Sequence, residues 1–233
     1  MNYVKNKLFI EKSSLKSLVS KYGSPLYCYS YNQLGKNITN FKNNFKSISP
    51  LVCFAVKSNS NLQILKKIKS FGLGADVVSQ GELMKALKSG INKKKIVFSG
   101  VGKTVNELNF AIQKKILLIN TESESEIDEI EKIAKKKKIK VDIGIRLNPD
   151  IDAETLKQIS TGKEENKFGV NKKKFIYLIN KLRNSKFVNI KCLSVHIGSQ
   201  ILNYKAYVRM LKVVSNIIEK SNYKFEFIDL GGG

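Results

Sequence analysis

The sequence is poor in arginine, and this scarcity limits what its strong positive charge can mean. Only three of its 42 basic residues are arginines, Arg146, Arg183 and Arg209, although the net charge is +23. Arginine is the preferred residue for reading base edges and for gripping phosphates with two hydrogen bonds. The lysines occur in runs along the whole chain, which indicates a solvated surface. We therefore expect no nucleic-acid partner.

Cysteine and histidine are also scarce, which argues against disulfide and metal chemistry. Cys28, Cys53 and Cys192 are odd in number, far apart and embedded in apolar runs. This is the pattern of reduced core thiols in a cytoplasmic protein. His196 is the single histidine, and no cysteine or acidic cluster accompanies it, so we expect no metal site.

Long apolar segments are absent as well. No stretch of the sequence approaches the length of a transmembrane helix, and the first residues lack the apolar core of a signal peptide. The sequence therefore predicts a soluble, non-secreted protein without a membrane partner.

What the sequence does contain is a repeated alternation of apolar runs and amphipathic stretches. Strands are predicted at Leu51–Val56, Ala75–Val78, Lys95–Ser99, Ile116–Asn120, Val141–Leu147, Ile190–Ile197 and Phe225–Leu230. Helices are predicted near Leu62–Ser70, Gly81–Lys88, Thr104–Ile112, Ser123–Lys136, Lys172–Leu182 and Tyr204–Lys220. So many successive βα units favour a (β/α)8 barrel over an open sheet.

The predicted barrel stops after its seventh strand. Because the chain ends on Gly231, Gly232 and Gly233 without a closing unit, we expect it to be a piece of a longer protein. The first thirty or so residues stand outside the βα rhythm, and Pro25–Tyr29 reads as a strand of another sheet. The polar connection from Asn148 to Val170 is long enough to be functional or mobile.

Lys57 is the leading candidate for chemistry, because it follows the first apolar strand directly and precedes a polar turn, Ser58–Asn61. The carboxyl ends of parallel strands carry the active sites of barrel enzymes. A lysine half-buried there loses hydration, which favours the neutral, nucleophilic amine that attacks aldehydes. The alternative is an ordinary solvated loop lysine in a lysine-rich chain.

Two further candidates lie at later strand ends. His196 and Ser199 follow the sixth strand, so that a flat imidazole could cover a flat cofactor and a hydroxyl could bind it. The Gly231–Gly233 triplet follows the seventh strand, where barrel enzymes often bind phosphate with backbone amides. A packed histidine and a flexible glycine turn are the alternatives.

Three charged features lie on or next to the predicted strands, and two of them have alternative interpretations. Asp76 on the second strand either faces the rim or, as the residue pattern favours, caps the following turn. Arg146 within a buried strand needs an anionic partner, either a structural ion pair or a bound anion. The acidic run Glu122–Glu126 is expected to open a helix at its positive end.

These motifs together resemble the diaminopimelate decarboxylases, which belong to the fold-type III pyridoxal-phosphate enzymes. The resemblance covers nearly all of residues 20–233. It rests on the ordered motifs Phe54–Asn61, Gly74–Leu83, Asn120–Glu126, Asn148–Ala153, Ile159–Gly169, His196–Gln200 and Asp229–Gly233.

The resemblance implies pyridoxal 5'-phosphate as cofactor, held as an internal aldimine by Lys57 with His196 stacked on its ring. The remaining implied contacts are Ser199, Gly231, Gly232 and Gly233 at the phosphate, Asp76 near the Schiff base or histidine, and Arg146 beneath the cofactor. The implied reaction is decarboxylation of meso-2,6-diaminopimelate to L-lysine, carried out by a homodimer.

The chain departs from the family pattern in two respects. Thr155-Leu156 stands where the family usually has Thr-His, and everything that follows the triple glycine in the family is absent. We therefore expect residues 32–233 to form an incomplete cofactor-binding barrel that is inactive alone. Residues 1–31 are expected to join a C-terminal β domain that this chain lacks. The alternatives are another fold-type III decarboxylase of a basic amino acid, or a non-catalytic pyridoxal-phosphate-binding barrel.

Overall fold

The computed structural model describes residues 1–152, 162 and 168–232. Its main body is a seven-stranded parallel sheet whose strands lie in chain order from one edge to the other. The strands are β4 (Cys53–Ala55), β5 (Gly74–Val77), β6 (Ile96–Phe98), β7 (Leu118–Thr121), β8 (Val141–Arg146), β9 (Val188–Ser194) and β10 (Phe227–Asp229). The prediction of seven sequential βα strands is confirmed.

Among the described residues, one α-helix leads directly into β4, and one lies in each connection between neighbouring strands. These helices are α2 (Tyr31–Asn44), α3 (Leu62–Ser70), α4 (Gln80–Lys88), α5 (Val105–Lys114), α6 (Glu124–Lys137), α7 (Lys172–Leu182) and α8 (Tyr204–Ser221). Short polar side chains start them by accepting a backbone N–H of the first turn, as Ser79, Thr104 and Ser123 do for α4, α5 and α6. The helix boundaries predicted from these caps and from apolar spacing agree with the structure to within two residues for α3, α4, α5, α6, α7 and α8.

The sheet is strongly curled. Asn120 on β7 and Asp229 on β10 are three strands apart in the sheet order, which would separate them by about 14 Å in a flat sheet. Their side chains are nevertheless hydrogen-bonded, with 2.7 Å between Asn120 Nδ2 and Asp229 Oδ2. The sheet therefore wraps around an interior as in a (β/α) barrel, with β4 and β10 at its open edges.

Two apolar layers hold this arrangement together. The larger one lies between sheet and helices and includes fully buried side chains such as Phe98, Ile143 and Phe175. The smaller one lines the interior near the amino ends of the strands and consists of Val97, Leu118 and Cys192 packed with Cys53, Leu117 and Phe227. Alternate residues of each strand thus face opposite layers, as the two-residue period of a strand requires.

The N-terminal segment differs from the prediction. Residues 2–14 form a small antiparallel sheet of β1 (Asn2–Val4), β2 (Lys7–Ile10) and β3 (Ser13–Ser14), followed by α1 (Leu15–Tyr22). The segment Pro25–Tyr29 is not a strand, because neither sheet offers it a partner, so the prediction of a strand there is wrong. The helices α1 and α2 were not predicted from the sequence.

The helix α2 joins this segment to the sheet. Its Ile38 packs with Ile64 and Ile68 of α3, and Tyr31 donates its hydroxyl to the carbonyl of Gln63. Glu11 accepts hydrogen bonds from Ser30 and the Asn32 amide, which links the small sheet to the start of α2. In the part of the chain that the structure describes, no helix is long and apolar enough to cross a membrane.

Candidate active site

Polar side chains collect on the concave side of the sheet, at the carboxyl ends of its strands. Below this rim, toward the amino ends of the strands, the interior is apolar. The polar groups therefore form a distinct layer at one mouth of the barrel. The layer comprises Asp76 on β5, Ser99 after β6, Asn120 on β7, Arg146 on β8, Ser194 on β9, His196 after β9 and Asp229 on β10. These are the groups that chemistry at this mouth can use.

Lys57 lies at the same mouth, but not as deeply as its sequence position suggests. The strand β4 ends at Ala55, and Val56–Ser58 form one turn of 3-10 helix that carries the lysine outward. Its side chain is exposed, so the expected half-burial is wrong. Its positive charge nevertheless acts on interior groups, because it lowers the pKa of both Asp76 and His196. An exposed amine at this place is open to a ligand entering the mouth.

Asp76 points into the barrel and does not cap the following helix. The cap of α4 is Ser79, which accepts the Glu82 amide, so the favoured capping interpretation of Asp76 is wrong. Burial raises the pKa of Asp76 to about 6, and the nearby Asp229 acts in the same direction. The Ser99 hydroxyl and the charge of Lys57 oppose this rise. Asp76 Oδ1 is buried and has no hydrogen-bond partner among the described residues, which marks an acceptor available to a ligand.

His196 is half-buried, and its surroundings favour the neutral imidazole. Desolvation lowers its pKa to about 4, and the positive charges of Arg146 and Lys57 add to this effect. Its Nδ1 accepts the backbone N–H of Gly232 at 3.2 Å, a bond that requires an unprotonated nitrogen at that position. The turn after β10 is therefore fastened to the residue after β9.

The glycine turn is shaped by this contact. Gly231 has φ +69°, and a Cβ there would lie 2.6 Å from His196 Nδ1 and 2.7 Å from the Val195 carbonyl oxygen. No other residue fits this position without a shift of its neighbours. Gly232, by contrast, has open space around its Cα, so a ligand can approach its backbone. The Gly231 N–H donates to Asp229 Oδ1 at 2.9 Å.

Arg146 has the anionic partner that its buried position demanded. Its Nη1 donates to Glu122 Oε1 at 2.9 Å, and both side chains are less than a tenth exposed. Its Nη2 donates to the His196 carbonyl at 3.3 Å, and the guanidinium lies over the Phe168 ring with its carbon 4.9 Å from the ring centroid. Arg146 thus ties the ends of β8 and β9 to the start of α6. Of the two interpretations, a structural ion pair or a bound anion, the structure contains the ion pair.

The acidic run continues this pairing. The helix α6 begins at Glu124 with Ser123 as its cap, as expected, but Glu122 precedes the helix and turns inward to Arg146. Glu126 accepts the Glu122 amide and pairs with Lys103 at 2.7 Å. The side chain of Lys103 is only 1 % exposed, and burial raises the pKa of Glu126 against the influence of that lysine. A chain of buried charges therefore runs around the mouth from β6 to β9.

Asp229 joins the far edge of the sheet to its middle. Its Oδ2 accepts from Asn120 Nδ2 and, at 3.3 Å, from the Ser194 hydroxyl. The side-chain oxygen Oδ1 of Asn120 faces Gly144, where an added Cβ would lie 2.1 Å from that oxygen. Only glycine at position 144 therefore leaves room for the asparagine that holds Asp229.

Some predicted site residues take no part in the described contacts of the mouth. Ser199 lies half-buried in the turn that follows β9. Gly233, Thr155-Leu156 and most of the motif Ile159–Gly169 lie outside the described residues. No site role was predicted from the sequence for Lys103, Glu122, Asn120 and Asp229, although the last three lie within the quoted motifs. Asp229 could have been found, because it is a carboxylate at the carboxyl end of an apolar strand, as Asp76 is near the end of β5.

Comparison with known proteins gives a consistent set of relatives. Residues 31–233 match the family model described as pyridoxal-dependent decarboxylase, pyridoxal binding domain. The chain is 40% identical over 240 residues to diaminopimelate decarboxylase of Aquifex aeolicus, an alignment that covers 100% of this chain. It is 41% identical over 222 residues to the Helicobacter pylori protein of that name, which covers 94% of this chain.

A solved structure shows the same likeness in three dimensions. Diaminopimelate decarboxylase from Helicobacter pylori, complexed with L-lysine, superposes with a TM-score of 0.88 at 39% identity. The superposition covers 94% of this chain and 56% of that one. The chain spans about half the length of the relatives it matches, 56% of the Aquifex protein and 55% of the Helicobacter protein.

Proposed function

Because this chain belongs to the pyridoxal-dependent decarboxylases, we propose that it is part of an enzyme that decarboxylates meso-2,6-diaminopimelate to L-lysine. The observation that carries this proposal is the similarity along the whole chain to proteins named diaminopimelate decarboxylase. The relatives contain about as much sequence again as this chain matches, so we propose that the chain alone is inactive.

The residues at the mouth fit pyridoxal phosphate, the cofactor of this family. The cofactor is an anionic aldehyde with a basic ring nitrogen, and the exposed amine of Lys57 suits an aldehyde carbon. The unpartnered oxygen of Asp76 can accept a bond from a protonated nitrogen. The neutral ring of His196 offers a flat face, and the open space at the Cα of Gly232 leaves room for a phosphate, while the Gly232 N–H donates to His196 Nδ1.

In this proposal Lys57 holds the aldehyde carbon of the cofactor, and His196 packs on its ring. Ser199, Gly231, Gly232 and Gly233 would hold the phosphate, and Asp76 and Arg146 would contribute to the same site. The chemistry that the bound cofactor would supply is an electron sink for the loss of carbon dioxide. The protein's own contribution is to orient the substrate and to exclude water from this mouth.

The protonation states of His196 and Asp76 suit cofactor binding. A neutral imidazole places no positive charge against the ring, and its pKa near 4 keeps it neutral at physiological pH. Asp76, with a pKa near 6, can change its protonation close to neutral pH, and the charge of Lys57 lowers that pKa. Arg146 is paired with Glu122 and donates to the His196 carbonyl, so its role is to fix the backbone of His196, and its charge also helps to keep the imidazole neutral.

The wider organisation is also part of the proposal. Residues 32–233 form the cofactor-binding barrel, and residues 1–31 belong with a C-terminal β domain of the whole enzyme. The enzyme is a cytoplasmic homodimer acting on a small molecule, and its reaction needs neither nucleic acid nor a membrane. Another fold-type III decarboxylase of a basic amino acid and a non-catalytic cofactor-binding barrel remain the competing functions.

Two measurements separate these functions. Carbon dioxide release by the full-length gene product should be fastest with meso-2,6-diaminopimelate; a clear preference for ornithine or arginine would replace the proposed substrate. Turnover of no amino acid would favour the non-catalytic barrel. Borohydride reduction of the cofactor-loaded enzyme, followed by peptide mapping, should label Lys57. A label on any other lysine would refute the proposed attachment.

A further inference from the structure

The two ends of the barrel differ sharply in charge. We define the amino-terminal face as the segments that lead from a helix into the next strand, residues 45–52, 71–73, 89–95, 115–117, 138–140, 183–187 and 222–226. These segments contain a single acidic residue, Glu226. Their basic residues are Lys46, Lys93, Lys94, Lys95, Lys115, Lys138, Lys140, Arg183, Lys186 and Lys224.

The opposite mouth has no such excess. Its described loops carry two lysines, Lys57 and Lys103, against the acidic side chains of Glu122, Asp150 and Asp152. Lys103 is buried and paired with Glu126, so it adds no positive surface. The βα topology therefore brings the runs Lys93–Lys95 and Lys135–Lys138 to one face, because every helix returns there, whereas Lys172–Lys174 lies at the start of α7, near the opposite mouth.

The charges of the amino-terminal face are available to a partner. All ten basic side chains except Lys95, which donates to the Gly72 carbonyl, are exposed. None of the ten forms an ion pair with another described residue, whereas Glu226 is paired with Lys191 of β9. The last turns of the helices add more lysine, for example Lys69, Lys88 and Lys114.

Helix polarity explains only part of this arrangement. A helix favours cations in its last turn, which accounts for the sign of the charge at those helix ends. The segments of the amino-terminal face lie largely beyond these turns, where the macrodipole effect has faded. The helix dipole therefore does not explain the positive charge of these segments.

The spacing of these segments suits a polymer of phosphates. Neighbouring strands of a sheet lie about 4.8 Å apart, so the five consecutive segments from 89–95 to 222–226 present basic residues along a curved row at intervals of this order, while the segment 71–73 carries none. Each strand of duplex DNA carries a charge about every 3.4 Å of helix axis, and a single strand can adjust this spacing because no duplex holds it. Lysine binds phosphates as a point charge and, unlike arginine, does not favour bidentate reading of bases.

We propose that the amino-terminal face binds the phosphate backbone of single-stranded nucleic acid without regard to sequence. This replaces the expectation, drawn from the sequence alone, that nucleic acid is not a partner. A membrane surface fits less well, since membrane-binding surfaces pair basic residues with exposed large apolar ones. Three exposed large apolar residues of this face, Phe45, Ile48 and Leu51, lie in the segment 45–52, which carries a single lysine. In the segments from residue 89 onward, which carry the other nine basic residues, Ile139 at 36% exposure is the only such residue. Bound nucleic acid would leave the opposite mouth free for substrate.

The test compares two triple variants with the same change in charge. Lys94→Glu, Lys140→Glu and Lys186→Glu alter three separate segments of the amino-terminal face, all exposed. The control variant, Lys172→Glu, Lys173→Glu and Lys205→Glu, alters exposed lysines at the starts of α7 and α8, near the other mouth. Binding of each purified chain to a labelled 25-nucleotide single strand is followed by fluorescence anisotropy between 50 and 300 mM NaCl.

For the unaltered chain we expect salt-dependent binding whose log–log slope is about −3, as for roughly four phosphate contacts. The face variant should bind about tenfold more weakly or worse at 50 mM salt, with a slope shallower by about 2, and the control should stay within about twofold. Equal losses in both variants would show that only net charge matters and would overturn the proposal. Absence of binding by the unaltered chain would do the same.

Two further measurements keep the test independent of variant folding and of the class of partner. Acetylation of the unaltered chain should be reduced by the oligonucleotide at Lys94, Lys140 and Lys186, but not at Lys172 and Lys173. Uniform protection, or protection of the second set, would refute the assigned face. Tighter binding to vesicles of phosphatidylglycerol than to the oligonucleotide at equal salt would replace nucleic acid by a membrane.

Discussion

Replacement of Lys103 by methionine tests the buried chain of charges at the mouth. The ammonium of Lys103 donates to the carbonyls of Gly100 and Asn120, at 2.6 and 2.8 Å, and to Glu126 at 2.7 Å. Methionine fills similar space but leaves the carboxylate of Glu126, only 10 % exposed, without its counter-ion. Breaking a buried pair in this way costs about 3–5 kcal/mol of unfolding free energy.

The loss should depend on pH, because Glu126 can escape the penalty by taking up a proton. Its pKa is already raised by burial, and removal of Lys103 removes the positive charge that opposes this rise. A carboxyl group whose folded pKa exceeds its unfolded value destabilises the fold as pH increases between the two. Lys103→Met should therefore cost about 2 kcal/mol near pH 4, where only the bonds to the two carbonyls are lost, and most at pH 7 and above.

Urea denaturation of the chain at pH 4.5 and pH 7.5 measures both effects. The double variant Lys103→Met, Glu126→Gln removes the uncompensated charge and should recover about 2 kcal/mol of the loss at pH 7.5. It should not recover everything, since the two carbonyls still lack their donor at about 1 kcal/mol each. A loss below about 1 kcal/mol at pH 7.5, or no recovery in the double variant, would refute the reasoning.

Three other predictions concern the mouth and the chain as a whole. Asp76 has a pKa near 6 against an ordinary 3.8, because burial favours its protonated form. The cofactor-free chain should therefore lose stability as the pH rises from about 4 to about 6. Asp76→Asn should remove this fall in urea titrations across that range; an unchanged profile would contradict the assigned pKa. In the full-length enzyme, His196→Phe should keep most of the affinity for pyridoxal phosphate because an aromatic face remains, whereas His196→Ala should weaken it about tenfold. Equal and severe losses in cofactor titrations of both variants would exclude stacking. The 233-residue chain alone should release no carbon dioxide from meso-2,6-diaminopimelate, and release at a rate near that of the full-length enzyme would contradict the proposal.

Much of the barrel could be predicted because its signals are local. Each strand is a short apolar run, and caps such as Ser79 and Ser123 mark where the next helix begins. The N-terminal segment was harder, since α2 contributes only Gly35 and Ile38 to the buried set and so carries little apolar periodicity. Strand-forming residues at Pro25–Tyr29 were misleading, because a strand also needs a neighbour with which to pair.

The candidate site was predictable in position but not in its electrostatics. Lys57, Asp76 and His196 each follow from a residue at the end of a strand, since parallel strands end at one rim. The pairing of Arg146 with Glu122 joins residues 24 positions apart and depends on how β8 and the start of α6 meet. The depth of Lys57 depends on the turn Val56–Ser58, whose 3-10 geometry no local pattern announced.

The strict chain order of the sheet has a consequence for how the molecule opens. Each strand pairs only with the units immediately before and after it, so the edge strands β4 and β10 have one neighbour and β7 and β8 have two. The fold can therefore fray from either end without disturbing its middle, as in a repeat protein. Amide hydrogen exchange should record this as a gradient of protection that is highest in β7, β8 and β9 and falls toward both edges. The Asn120–Asp229 bond, which spans three strands, should limit that fraying on the β10 side.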